Sequence, residues 1–190
     1  MVNHNVFIAL VHYPALDRNG KTIVTSFTTM DLHDIARPAM AYEINTYYIA
    51  QPVDGQRVVI EKQIEYWLSE EGKSTNPTRN QIVKKVRLCY TLDDVIDDIT
   101  ERRGKRPLTV GTDARTYPNT ISYGFLRGEI EKRDKDFLII FGTGYGIPPD
   151  LMNTFDYILE PVHGAGDWNH LSVRNASAII LDRLLSRNRC

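Results

Sequence analysis

A strand that runs into a glycine-rich turn late in the chain is the feature that most constrains the fold. Phe137–Gly146 consists of five apolar residues followed by glycines at positions 142, 144 and 146. Pro148 and Pro149 come next, and proline suits the first turn of a helix. Glycines in such a turn allow backbone amides to approach a ligand closely and allow positive φ. The motif therefore indicates either a ligand-binding loop or a plain tight turn between a strand and a helix.

Two common nucleotide-binding motifs do not fit this turn. A Walker phosphate loop needs a lysine followed by serine or threonine, and Ile147 and Pro148 occupy those places. A dinucleotide fingerprint should open a βαβ unit with an acidic residue about 20 positions later, and Glu160 is close to that spacing. However, positions 147–190 are too few to complete a Rossmann domain, or an ordinary methyltransferase with its glycine motif near the start. We therefore expect a fold that binds its ligand with loops late in the chain.

Short apolar runs alternate with longer segments of helical period along the chain. The predicted strands are Val6–Tyr13, Thr46–Ala50, Val86–Tyr90, Leu108–Gly111, Phe137–Phe141 and Tyr157–Leu159. The predicted helices are Leu32–Tyr42, Val58–Glu71, Leu92–Arg103, Ile121–Lys132 and Leu171–Arg187. This alternation is typical of an α/β fold with a mostly parallel sheet and helices on both faces. Hydrophobic residues make up 42% of the sequence, which suffices for a core, and we expect residues 1–190 to form one domain.

Two segments interrupt the alternation. Asn19 and Gly20 separate short β-prone runs, so residues 14–30 are predicted to form a β-hairpin inserted after the first strand. Residues 72–85 are polar and contain Pro77, which predicts a loop.

Charge and cysteine content limit the classes of function. The net charge of −1 provides no global basic field, so any surface for nucleic acid must be a local patch. Two cysteines are too few for a disulfide scaffold or a structural zinc site, and no metal is expected. The apolar run Val6–Val11 is too short to span a membrane, and no basic segment of a signal peptide precedes it. We expect a cytoplasmic protein without a membrane partner.

Three segments resemble, in order, the motifs of one family. The first is Asp31–Arg37, with the sequence Asp-Leu-His-Asp-Ile-Ala-Arg. The second is Ile140–Gly146, which contains the glycine turn. The third comprises Ile158–Pro161, Gly164–Gly166 and His170–Ala176. Their order, spacing and late position resemble the SPOUT superfamily of knotted α/β RNA methyltransferases, and most closely its small bacterial branch labelled tRNA (guanine-N1)-methyltransferase-like.

The resemblance implies an S-adenosylmethionine pocket and a C-terminal trefoil knot over residues 137–190. General topology rules otherwise exclude such a knot. The short, small-residue loops 142–146 and 164–166 suit an adenine, whose polar edge can be matched by backbone groups. The cofactor-binding residues that the resemblance implies are Thr112, Gly142, Thr143, Gly144, Leu159, Pro161, Gly164, His170, Leu171 and Ser172.

The candidate catalytic residues are Arg37, Asp31 and Asp113. Methyl transfer needs an aligned and deprotonated acceptor, so these residues must be charged and close to the pocket. Arg37 matches the arginine that lies beside the methyl acceptor in the ribose 2′-O branch, although a surface ion pair with Asp34 or Glu43 is an alternative role. The family's asparagine is replaced by Asp31, and such changes leave open whether a base or a ribose is methylated. An aspartate suits a base acceptor, such as guanine N1, whose proton must be removed. By their reactivity, His33 and His170 are equally plausible as the general base.

RNA, as tRNA or rRNA, and a second copy of the chain are the expected partners. Arg18 and Lys21 flank the hairpin turn, and with His33 they are the predicted RNA-binding residues. The C-terminal helix has a wide apolar arc that favours a homodimer, although burial within one chain is the alternative. The arc consists of Val173, Ala176, Ile180, Leu181, Leu184 and Leu185. A SPOUT-like protein that binds RNA or S-adenosylmethionine without catalysis, and an unrelated α/β nucleotide-binding protein, are the alternative functions.

Overall fold

The computed structural model describes residues 5–166 and 168–187. Its strands are β1 (Val6–Leu16), β2 (Thr22–Ile23), β3 (Tyr47–Ala50), β4 (Val86–Cys89), β5 (Leu108–Gly111), β6 (Thr120–Ile121), β7 (Phe137–Gly144) and β8 (Tyr157–Leu159). Its helices are α1 (Thr29–Ala41), α2 (Asp54–Leu68), α3 (Glu70–Thr75), α4 (Pro77–Val83), α5 (Leu92–Arg103), α6 (Tyr123–Glu131), α7 (Pro149–Met152) and α8 (Val173–Leu185).

All the strands belong to one sheet, in the order β4-β3-β1-β7-β5-β8-β6, with β2 beside the end of β1. The pairings along this order are parallel, and β2 pairs antiparallel with β1. In the centre of the sheet Ile8 is paired with Tyr47 on one side and Ile139 on the other. Because both faces of β1 are covered, its residues from Val6 to Val11 form a continuous apolar run.

Alternate residues of the central strands contribute to two cores. Ile8 and Ile139 point to the face covered by α1, α2, α4, α6 and α8. Phe7 and Leu138 point to the opposite face, which α5 and α7 cover. The predicted α/β class, with a mostly parallel sheet and helices on both faces, is therefore confirmed.

The predicted loop over residues 72–85 is wrong, because this segment forms α3 and α4. Ser69 Oγ accepts a hydrogen bond from Gly72 N, and Asn76 Oδ1 accepts one from Arg79 N, so each helix has a capped N-terminus. Pro77 occupies the first turn of α4, where proline is favourable. Polar residues and a proline are common in loops, which is why a loop was predicted. In this segment, Asn76 and Pro77 instead mark the start of a helix.

Several boundaries also differ from the prediction. The first strand extends to Leu16, and the strand before the glycine turn extends to Gly144, because their ends pair with each other. A helix expected from Ile121 starts at Tyr123, since Thr120 and Ile121 pair with β8. Beyond Leu16, Asp17 Oδ1 accepts hydrogen bonds from Asn19 N and Lys21 N at the turn into β2.

The apolar arc of α8 is largely covered by the chain itself. Ile180, Leu181 and Leu184 are at most 4% exposed and belong to the core under α1 and α6. The outer face of α8 makes polar contacts, such as the 2.7 Å hydrogen bond from Tyr42 Oη to Asp182. Burial within one chain therefore accounts for most of this arc. Within the described residues, no helix combines the length and apolar character that crossing a membrane requires.

Candidate functional site

A cavity of about 520 Å³, here called the strand-end cavity, lies at the carboxyl ends of β1, β5 and β7. Its walls are residues 112–114, the turn 142–146, residues 169–174 leading into α8, and Thr25, Ser26, Thr28, Met30 and Asp31 before and at the start of α1. The neighbouring parallel strands β1 and β7 lead to helices on opposite faces of the sheet, which opens a crevice between the strand ends. Ligands of open α/β sheets bind in such crevices.

The glycine turn is shaped by its contact with β1. Gly144 has φ +62°, and a Cβ placed on it would lie 2.7 Å from the carbonyl oxygen of Leu16. Tyr145 N donates a hydrogen bond to that oxygen, and Leu16 N donates one to the carbonyl of Gly146. Gly144 is therefore required by the close approach of two backbone segments, and this requirement holds without a ligand.

A chain of hydrogen bonds lies between this turn and the preceding ribbon. Thr143 Oγ1 donates to the carbonyl of Val11, Thr25 Oγ1 lies 2.6 Å from Thr143 Oγ1, and His12 Nδ1 lies 2.9 Å from Thr25 Oγ1. Because each hydroxyl has one proton, this order makes Thr25 the donor to Thr143 and His12 Nδ1–H the donor to Thr25. Burial lowers the pKa of His12 to about 4, so the ring is neutral. Sequence reasoning missed His12, and its only signal was a histidine within an apolar strand.

Asp31 lies in the wall of the strand-end cavity, at the start of α1. Its Oδ2 accepts hydrogen bonds from Thr28 N and Thr28 Oγ1. Asp31 N donates in return to Thr28 Oγ1, which completes a capping box at the helix N-terminus. No described residue donates a hydrogen bond to Asp31 Oδ1. The carboxylate is thus fixed through one oxygen, and the other is available.

Asp113 also lines the cavity, but its carboxylate is fully engaged. Arg115 donates to it from Nε and from a terminal nitrogen at 2.6 Å, and the hydroxyl of Tyr117 donates at 3.0 Å. Burial, together with this carboxylate, raises the pKa of Tyr117 to about 12. The arrangement favours a role for Asp113 in holding residues 113–117 in place.

The other candidates for cofactor contact fall into two groups. Seven line the strand-end cavity, namely Thr112, Gly142, Thr143, Gly144, His170, Leu171 and Ser172. Leu159, Pro161 and Gly164 are not among its lining residues. Leu159 belongs to the core, Pro161 is buried and Gly164 is exposed.

Arg37 and the three predicted RNA-binding residues lie outside the strand-end cavity. Arg37 is exposed on α1, outside the strand-end cavity, and forms no ion pair within the described residues. Neither Asp34 nor Glu43 is its salt-bridge partner in this structure. Arg18 and Lys21 are exposed at the turn of the β1–β2 ribbon. His33 is buried in a separate cavity.

Exposed aromatic residues at the cavity mouth were missed in the sequence. Tyr145 is 57% exposed, and its ring centroid lies 6.3 Å from that of His170. Trp168 is 78% exposed, and its Nε1 donates to the carbonyl of His170. Asn169 Nδ2 donates at 2.7 Å to the carbonyl of Ala114, which attaches this segment to the loop after β5. Tyr145 lies within the second motif and Trp168 lies between two segments of the third, which was the available signal.

The comparison with protein families identifies the chain. Residues 5–186 match a family described as SAM-dependent RNA methyltransferase. The chain belongs to this family. Its cofactor is S-adenosylmethionine, and the SPOUT resemblance of its motifs is confirmed.

Relatives of this methyltransferase differ in length. A protein of Aquifex aeolicus is 76% identical over the whole chain, which covers 93% of that relative. A tRNA (guanine-N(1)-)-methyltransferase of Oleidesulfovibrio alaskensis is 38% identical over 95% of this chain. The matched region covers 42% of that enzyme, so more than half of it has no counterpart here.

Solved structures have the same fold at low sequence identity. The SpoU methyltransferase AviRb from Streptomyces viridochromogenes, in complex with AdoMet, aligns with a TM-score of 0.62 and 16% identity. This alignment covers 97% of our methyltransferase and 58% of AviRb. TrmJ from Z. mobilis aligns with a TM-score of 0.62 and 13% identity, over 96% and 68% of the two chains.

The strand-end cavity fits the cofactor of the family in size and chemistry. Pockets for ligands of drug size have volumes of roughly 300–1,000 Å³, which includes the observed volume. Phe141, Val162 and Ile180 provide apolar surface for a flat ring. Thr112 and Ser172 bring hydroxyl groups to the lining, and Asp31 brings a carboxylate. A negative charge at this position favours the positively charged sulfonium of the cofactor.

Proposed function

We propose that the strand-end cavity binds S-adenosylmethionine and that a nucleotide of tRNA or rRNA receives the methyl group at its mouth. One observation supports this proposal above all. Loops from four distant parts of the chain meet at one sheet edge and surround a cavity with apolar walls, hydroxyl groups and a carboxylate. The proposed cofactor contacts are the seven candidates that line this cavity. Leu159, Pro161 and Gly164 are proposed to shape the segment before α8 without direct contact.

The cofactor, when bound, supplies an electrophilic methyl group for an in-line displacement. The protein must then position the acceptor and remove its proton. We assign proton removal to Asp31, because it lines the cavity, is held by the capping box, and has Oδ1 available. Asp113 is less suited, since Arg115 and Tyr117 occupy its oxygens.

An acceptor nitrogen of a base that bears a proton, such as guanine N1, is consistent with a carboxylate base. The guanine activity of the Oleidesulfovibrio relative belongs to a protein more than twice as long as the matched region. The part without a counterpart could contain that activity. The acceptor is therefore inferred from Asp31, and not from the name of the relative.

A homodimer and a role for Arg37 are proposed together. Arg37 is exposed and lies outside the cavity of its own chain. For its guanidinium to act beside the acceptor, the RNA or a second copy must bring the two together. Arg18 and Lys21, exposed on the same ribbon that supplies Thr25 to the cavity wall, are proposed to bind RNA phosphates.

We also infer that the chain forms one domain with a trefoil knot. After β8, Glu160 N donates to the carbonyl of Ile121, and Tyr123 N donates to Glu160 Oε1. Asn169 then contacts Ala114, and Arg183 of α8 lies 5.0 Å from the Tyr123 ring. The segment before α8 thus lies against the β5–β7 connection, through which we propose that it threads.

The β1–β2 ribbon is proposed as the β-hairpin insertion after the first strand. We propose the cytoplasm as the location, because tRNA and rRNA are found there.

The test is methyl transfer from labelled S-adenosylmethionine to total tRNA and rRNA, followed by mass spectrometry of nucleosides. Asp31→Asn keeps an acceptor for the capping box but loses the base, so we expect methyl transfer at saturating S-adenosylmethionine to fall at least a hundredfold. Asp34→Asn, an exposed neighbour on α1, is the matched control. Full activity of Asp31→Asn would refute the assignment of the base, and a methylated ribose would refute the choice of acceptor.

A further inference from the structure

A second cavity, here called the α1–α2 cavity, lies apart from the strand-end cavity. It has a volume of about 550 Å³ and is bordered by α1, α2 and α4. His33 comes from α1, Gln63 and Trp67 from α2, and Arg79 from α4. The proposed chemistry of the strand-end cavity uses none of these residues.

Buried polar atoms without partners distinguish this cavity from a plain apolar groove. Both ring nitrogens of His33, Oε1 of Gln63 and Nε of Arg79 are buried without a hydrogen bond in the part of the chain that the structure describes. His33 itself is only 5% exposed. Buried polar groups in proteins almost always have partners, because each unpaired group destabilises the folded state. These atoms therefore indicate a ligand that completes their hydrogen bonds.

The atoms offer both donors and acceptors. Burial lowers the pKa of His33, and the nearby Arg79 and Arg37 act in the same direction, while Asp34 opposes them. The ring is therefore neutral, with one nitrogen donating and the other accepting. Gln63 Oε1 adds an acceptor and Arg79 Nε–H adds a donor.

The remaining walls are apolar and aromatic. Val58 and Val59 are about half exposed there, and the His33 ring meets Trp67 edge to face at 5.5 Å. The guanidinium of Arg79 lies 4.7 Å from the Trp67 ring, which positions a cation at the cavity. Lys62 also lines the cavity and is paired with Glu65.

We propose that the α1–α2 cavity binds a nucleobase. A nucleobase has flat apolar faces and an edge with both donors and acceptors, which matches walls of this kind. A purely apolar ligand would leave His33 and Gln63 without hydrogen-bond partners. An anion has no donor for Gln63 Oε1 and would leave that oxygen unpaired. The base can belong to the substrate RNA or to a free nucleoside.

The position of the cavity favours an RNA nucleotide close to the methylated one, an inference that rests on the proposed function. Thr28 and Asp31 line the strand-end cavity, whereas Thr29 and His33 line the α1–α2 cavity. The first turn of α1 therefore separates the two cavities, and a helix is only about 10 Å wide. One strand of RNA can thus reach both.

Tryptophan fluorescence provides a direct test. The chain has two tryptophans, so in a Trp168→Phe background Trp67 is the sole reporter. Short single-stranded RNA oligonucleotides and the four free ribonucleosides serve as separate probes. We expect the fluorescence of Trp67 to be quenched on binding. Comparing the quenching by RNA oligonucleotides with that by free ribonucleosides shows which of the two supplies the base. His33→Phe retains the ring contact with Trp67 but removes the polar edge, and should weaken binding about tenfold.

A second readout separates a binding site from a structural role. Without probe, His33→Phe and Gln63→Leu should raise the thermal midpoint, because they remove unsatisfied buried polar atoms. His163→Phe, at an exposed histidine, is the matched control and should change neither quantity.

Three results would overturn the inference. They are an absence of quenching with every probe, quenching that His33→Phe and Gln63→Leu both leave unchanged, and Trp67 fluorescence that changes with protein concentration alone. The last would identify a second copy as the occupant. Methyl transfer is measured in parallel on the wild-type chain: if it is intact without a Trp67 response, only this inference fails, whereas its absence with every RNA refutes the proposed function.

Discussion

Acid should destabilise this protein through His12, the neutral histidine beneath the strand-end cavity. The ring is fully buried, its Nδ1–H is bonded to Thr25, and burial lowers its pKa from 6.5 to about 4. As the pH falls below 6.5, the unfolded chain binds this proton and the folded chain does not. The free energy of unfolding therefore decreases through this window and levels off below about pH 4.

The size of the effect follows from the pKa difference. Each pKa unit corresponds to about 1.4 kcal/mol, so full protonation of the unfolded state costs the fold about 3 kcal/mol. This is a large fraction of the roughly 5–15 kcal/mol that stabilises a typical domain. Above pH 6.5 the contribution is complete, and it is lost progressively towards pH 4.

Urea unfolding at a series of pH values between 7 and 4 measures the effect, with His12→Asn as the variant. Asparagine retains a donor to Thr25 and does not titrate. The unfolding free energy of the wild type minus that of the variant should decrease by about 3 kcal/mol from pH 7 to pH 4. The titration of His33 occurs in both proteins and cancels in this difference. His163→Asn is the control, and its unfolding free energy should depend on pH as that of the wild type does. Parallel pH profiles of wild type and His12→Asn would refute the reasoning.

Two further predictions concern the glycine turn and α8. Gly144→Ala should lower stability by about 1–3 kcal/mol in urea unfolding, since φ is +62° and the new Cβ would meet the carbonyl of Leu16. Gly20→Ala has positive φ with open space around it, so its loss should be smaller, and equal losses would contradict the steric argument. Leu184→Glu should cost several kcal/mol and abolish the cooperative thermal transition in circular dichroism, because Leu184 is 2% exposed in the core. A stable, folded monomer of Leu184→Glu would instead place Leu184 at a subunit interface.

Local patterns in the sequence were sufficient to predict most elements. The strand from Phe137 and the helix Leu92–Arg103 were visible because uninterrupted apolar runs and helical period are local properties. The helices α3 and α4 were missed because Ser69 and Asn76 act as N-caps, and the same residue types also begin loops.

The site required knowledge of which strands are neighbours. Seven predicted cofactor residues and Asp31 meet in one cavity, because β1, β7 and β5 end side by side. Arg37 lies outside this cavity, since it follows Asp31 by more than one helical turn and faces solvent. The unpartnered atoms of His33 depend on the packing of α2 and α4, which residue spacing does not specify.

The pairing of β1 with β7 also determines the order in which the fold can assemble during synthesis. Val6 pairs with Phe137 and Leu16 with Gly144, so the central ladder joins segments that are far apart in the chain. Until the ribosome releases β7, one edge of the most apolar strand has no partner. Such late, long-range pairing slows folding and exposes nascent chains to aggregation. The same contact that completes the glycine turn is therefore among the last that the growing chain can make.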